Sequence, residues 1–126
     1  MRYLLAHLIG DFILQNDFIA NHKKRNNWVC LLHVLLYVFP FICLSMSWWQ
    51  LVLIGVQHYI QDRYSFINWF MRAKGSVQFA TGACAPWSII LTDNIIHLIW
   101  IYFVVWLVHG YLILDPVITF MKELIR

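Results

Sequence analysis

The chain has 126 residues, 62% of them hydrophobic and 12% charged, where an ordinary soluble domain has about a quarter charged. Its net charge of +3 is small and dispersed, which excludes a nucleic-acid surface. Cys30, Cys43 and Cys84 are odd in number and unpaired in spacing, which excludes a disulfide framework or a thiolate metal site.

Four apolar segments follow in chain order, at 3–20, 28–44, 48–70 and 86–109. No Lys, Arg, Asp or Glu occurs from Trp28 to Gln61, or from Asn94 to Leu114, and each stretch exceeds the roughly 20 residues that cross a bilayer. The first segment opens like a signal peptide, but His7 and Asp11 interrupt it and no small-residue cleavage pattern follows, so it reads as a retained helix. Pro40 predicts a kink in the second. Beyond Gly110 and the Asp115-Pro116 pair, Val117, Phe120, Met121, Leu124 and Ile125 recur at helical spacing, which predicts a surface-lying amphipathic helix over 116–125. The expected fold is all-α: a single polytopic membrane four-helix bundle over 1–126 with a short C-terminal amphipathic helix.

Positive charge alternates along the connections. Lys23, Lys24, Arg25, Arg63, Arg72 and Lys74 fall on one side, against Arg2, Lys122 and Arg126 on the other. The first side is therefore expected to be cytoplasmic, in a multi-pass protein of the inner membrane with both termini outside. Trp28, Trp48, Trp49, Trp69 and Trp87 stand at or beside segment ends, where aromatic belts form.

Ionisable groups in hydrocarbon cost about 2.5 to 3.5 kcal/mol each on insertion scales and face an interior with partners. The segments carry His7, Asp11 and Gln15; His33 and Tyr37; His58 and Asp62; and Asp93 and His97. Each spacing is four, which on an α-helix leaves both side chains on one face. At about 1.5 Å per residue the stripes reach a common depth, roughly 9 to 18 Å from the basic end. Imidazoles and carboxylates converging from several helices are how bundles hold divalent ions. His7, Asp11, His33, His58, Asp62, Asp93 and His97 form the candidate ligand pool for one or two transition-metal ions, zinc, manganese or iron. Gln15 and Tyr37 are candidate partners behind those ligands. Such an ion activates water near neutral pH. Asp11, Asp62 and Asp93 are the candidate catalytic carboxylates, whichever stays uncoordinated acting as base. A proton relay or a purely structural network stays open as an alternative, as does bis-histidine haem, which would leave the carboxylates unused. Arg63, beside Asp62, either meets a phosphate or snorkels to headgroups.

The runs His7-Leu-Ile-Gly-Asp-Phe-Ile-Leu-Gln15, His58-Tyr-Ile-Gln-Asp62 and Asp93-Asn-Ile-Ile-His97, with His33 between them, resemble the domain-of-unknown-function 3307 family of small bacterial and phage membrane proteins. The resemblance covers about residues 3 to 100 and implies that these positions are the shared polar ones. It also implies a glutamine after the fourth-segment Asp, where this chain has Asn94. A more distant similarity is to membrane-bound metal-dependent hydrolases. The function expected is an intramembrane metal-dependent hydrolase acting on a lipid or lipid-linked ester or phosphoester, with membrane lipid as partner and homo-oligomer formation open. The alternative is a non-enzymatic metal- or proton-handling membrane protein or a phage-type membrane effector.

Overall fold

Helix starts are set by side chains that accept the free N–H groups of a first turn, and two such caps divide what hydropathy alone joins. In the computed structural model, which describes the backbone of residues 1–124 and the side chains of residues 1–108, every element is helical. Helix α1, Arg2–Leu8, passes without a break into a π-helical turn, Ile9–Ile13. Asn16 is then extended, with φ −100° and ψ 172°, and its side chain accepts the Ile19 N–H to begin α2, Asp17–His22. The segment expected over 3–20 is therefore two helices, because Asn16 before Asp17 is a cap that outweighs the apolar run around it.

Asn26 accepts from Trp28 N at 2.9 Å and Val29 N at 3.3 Å, starting α3, Asn27–Ile42, which continues through Pro40. Helix α4 is Trp48–Arg63, its start held by Gln50 Oε1, which accepts from Ser47 N at 2.9 Å. The segment expected over 48–70 ends early at Ser65, whose φ of 52° is left-handed, and α5, Phe66–Ala73, turns away. Helices α6, Val77–Thr81, and α7, Trp87–Leu124, complete the chain. Helix α7 runs on past Gly110 and Asp115-Pro116, so 116–125 is not a separate surface helix. Up to Leu124 it belongs to α7, and Ile125 lies outside the described residues. A proline removes one backbone hydrogen bond, and in an apolar stretch the helix has most to gain by keeping the others.

Among the described residues one helical stretch, Trp87–Val108, is long and apolar enough to cross a membrane. Helix α3 is apolar but shorter, at 16 residues. With its π-turn, α1 packs on α3, α3 on α4, α4 on α7 and α7 back on α1, a closed ring. Two glycines allow the close approaches. A Cβ on Gly10 would lie 2.8 Å from both Cδ2 and the carbonyl oxygen of Tyr37, and one on Gly55 would lie 3.3 Å from Val34 and Val38.

The interior of the ring has two layers. Ala6, Phe41, Ile54, Ile101 and Val104 fill the half nearer the α3–α4 connection. The half nearer the α2–α3 connection is polar, with His33, His58, Asp62, Asp11, His97 and Lys23 all buried. Outward faces are apolar: Leu35, Phe39, Ile99 and Trp106 are each at least 60% exposed. Polar groups inside and large hydrophobic ones outside invert the ordinary soluble pattern.

Candidate metal centre

Helix α4 supplies His58 and Asp62, one turn apart, with His58 Nε2 3.3 Å from Asp62 Oδ2. Helix α3 supplies His33, whose Nε2 lies 2.9 Å from His58 Nε2, 3.1 Å from Asp62 Oδ2 and 3.3 Å from Asp11 Oδ1. The π-turn supplies Asp11, with Oδ1 3.7 Å from His58 Nε2. A tetrahedral ion with arms of 2.0 to 2.2 Å holds its ligands about 3.3 to 3.6 Å apart. The five separations above, 2.9 to 3.7 Å, bracket that edge, and all four residues are buried.

Four such atoms this close repel one another unless a proton or a metal ion stands among them, and the His33 Nε2 to His58 Nε2 distance of 2.9 Å requires one or the other. Lys23 brings positive charge. From the end of α2 its Nζ reaches within 2.6 Å of Asp62 Oδ2, 3.2 Å of His33 Nε2 and 3.9 Å of Asp11 Oδ1. The ammonium thus stands in for a cation against three of the four donors. One ammonium against two carboxylates leaves a single negative charge, which a divalent ion in place of the ammonium, or a protonated His33, balances. The donor set, its edge lengths and the stand-in lysine all fit such an ion.

The π-turn decides which side chains join. On an unbroken α-helix His7 and Asp11 share a face; the wider turn at Ile9–Ile13 separates their targets, and such bulges recur at functional sites. His7 is buried away from the quartet, its Nδ1 2.9 Å from the Tyr37 hydroxyl and its Nε2 2.9 Å from Asn94 Oδ1. Tyr37 lies under the site, its ring stacked on His58 with centroids 3.5 Å apart. Gln15 follows the π-turn; its Oε1 is buried and has no hydrogen-bond partner.

Asp93 and His97, one turn apart on α7, stand beside the quartet and form a second group with Asp11. Gln61 donates to Asp93 Oδ1 at 2.6 Å and to its carbonyl oxygen at 3.0 Å. Arg63 is turned elsewhere: its Nε donates to Asn27 Oδ1 and its Nη1 to the Lys24 carbonyl oxygen, both at 2.6 Å, tying α4 to the α2–α3 connection. A pocket of roughly 160 Å³ reaches the cluster from this basic end, between Lys23, Lys24, Asp62, Asn68 and Asp93.

Of the residues singled out by sequence, Asp11, His33, His58 and Asp62 meet at one point, and Asp93 and His97 adjoin it. Tyr37 lies behind His58, while His7, Gln15 and Arg63 stand outside. Lys23 joins the site although nothing local in the sequence marks a lysine at the end of a short helix as interior. Gln57 and Gln61 carry a usable signal, forming a second polar stripe at a spacing of four beside that of His58 and Asp62.

The family model described as "Protein of unknown function (DUF3307)" matches residues 1–121. No curated protein and no solved structure matches the chain.

Proposed function

The chain belongs to the DUF3307 family, and from its buried site we propose that it is a polytopic membrane four-helix bundle working as a metal-dependent hydrolase on a lipid or lipid-linked ester or phosphoester. The observation that carries this reading is the convergence of Asp11, His33, His58 and Asp62 at metal-ligand spacing inside a ring whose outer faces are hydrocarbon.

The membrane placement rests on that inside-out arrangement and on the tryptophans. Trp28 and Trp87 are 79% and 75% exposed at the basic end, and Trp48 is 77% exposed at the other, the places an aromatic belt occupies. Helices α3 and α4, of 16 residues each, rise about 24 Å. This falls short of a core of about 30 Å, a mismatch that a bilayer meets by thinning. Lys23, Lys24, Arg25 and Arg63 put the mouth of the pocket on the cytoplasmic side.

An ion in the quartet would supply Lewis acidity towards a carbonyl or phosphoryl oxygen, and would activate a water taken up as a fifth ligand beyond the four side chains. The chain supplies the rest. His33, His58, Asp11 and Asp62 would hold the ion, Tyr37 closes the site from below, and Lys23 and Lys24 line the way in with charge suited to an anionic headgroup. The run of imidazoles His33, His58, His97 and His7, with successive ring centroids 4.9, 4.3 and 5.5 Å apart, favours proton handling as a second reading. The apolar layer of Phe41, Ile54, Ile101 and Val104 argues against a route across the membrane.

The test uses full-length protein in vesicles of phosphatidylethanolamine and phosphatidylglycerol loaded with zinc or manganese. Release of fatty acid or headgroup is expected, stopped by chelator and reduced in His33→Ala to the chelated level. Metal binding without turnover of either lipid would contradict the hydrolase reading for this class of substrate.

A further inference from the structure

We infer a second cation position beside the quartet, formed by Asp11, Asp93 and His97, with Asp11 shared between the two. It rests on the reading above for the first ion and makes the centre a two-ion site. The ligand atoms of these three residues lie within 4.8 Å of one another.

The second group is presented by a chain of amides that fixes its protons. Gln57 Nε2 donates to Gln61 Oε1, and Gln61 Nε2 donates in turn to Asp93 Oδ1. Gln57 therefore turns its Oε1 to His97 Nδ1, 3.2 Å away, and only an Nδ1 that carries the ring proton can donate to it. The lone pair of the neutral ring is then on Nε2. That atom is fully buried and has no hydrogen-bond partner among the described residues. Its nearest charged neighbour is Asp93 Oδ2 at 3.8 Å, the oxygen that Gln61 leaves free. Two lone-pair donors thus face each other beside Asp11 with no proton between them. A histidine held through its far nitrogen so that the near one stays bare is the arrangement of a metal ligand.

Asp11 at the junction of both groups gives the π-turn a purpose. It brings one carboxylate to a point reached from α3 and α4 on one side and from α7 on the other. In two-ion centres the pair of ions clamps the attacking and leaving oxygens of a displacement, and Asp11 would be the ligand common to both.

The experiment is a zinc titration of the full chain in detergent, read by native mass spectrometry. The wild type is expected to take up two ions. His97→Ala is expected to take up one, and so is Asp93→Asn, which preserves the oxygen that accepts from Gln61. His33→Ala should weaken the other position. Two ions retained in both His97→Ala and Asp93→Asn would overturn the second position, as would a wild type that stops at one. A wild type that binds none overturns the first position with it, so the two failures are told apart by the count.

Discussion

Asp62→Ala is expected to abolish ion binding at the quartet and to lower stability by about 3 to 5 kcal/mol, the usual cost of leaving one member of a buried pair uncompensated. Among the described residues Asp62 Oδ2 is the only carboxylate oxygen within hydrogen-bond distance of Lys23 Nζ, at 2.6 Å, and it also lies 3.1 Å from His33 Nε2 and 3.3 Å from His58 Nε2. Removing it strands an ammonium in a buried layer. Lys23→Met should behave in the opposite sense towards metal. It removes the cation that competes for the site, so ion affinity should rise while the metal-free protein becomes less stable. Combining Lys23→Met with Asp62→Leu removes both charges and should recover much of the stability lost in Asp62→Ala, without recovering ion binding. Thermal unfolding in detergent, with and without zinc, reads all of these. An unchanged melting temperature for Asp62→Ala would refute the paired arrangement.

Gly10→Ala is expected to be nearly as damaging. Its Cβ would lie 2.8 Å from the Tyr37 carbonyl oxygen and 2.9 Å from Tyr37 Cα. These are backbone atoms of a central helix and cannot swing aside. Overpacking of this kind costs about 1 to 3 kcal/mol and moves the backbone. The movement here would carry the neighbouring Asp11 away from His33, so metal affinity should fall along with stability. Gly55→Ala serves as the control, since its contacts at 3.3 Å are side-chain methyls of Val34 and Val38. It should be tolerated better and should leave metal binding intact. Equal effects from the two substitutions would mean that Gly10 does not set the position of Asp11.

Much of the site is legible in the sequence. Charged and imidazole side chains in uncharged stretches had to face inward, and the spacing of four on α4 and α7 put His58 with Asp62 and Asp93 with His97, as observed. The same rule misled for His7 and Asp11 because it assumes 3.6 residues per turn. A π-turn leaves no mark in hydropathy, although Gly10 beside Asp11 is the place where a helix most easily widens. Asn16 and Ser65 break the first and third segments through local hydrogen bonding and a left-handed backbone, signals that an apolar run conceals. The continuity of α7 through Pro116 runs against the expected break, since a proline removes one backbone hydrogen bond and the helix goes on with the others. Lys23 was least legible. Its burial depends on α2 closing over the end of the ring, a tertiary fact with no local cause.

Elemental analysis of the full-length protein, purified from membranes in detergent without added metal or chelator, tests the central claim most directly. A stoichiometric transition metal is expected in the wild type, lost in His33→Ala and in Asp62→Ala, with both variants assayed in the membrane fraction. Wild-type protein that is folded and carries no metal above background, even after incubation with zinc and manganese, would contradict a metal centre at Asp11, His33, His58 and Asp62.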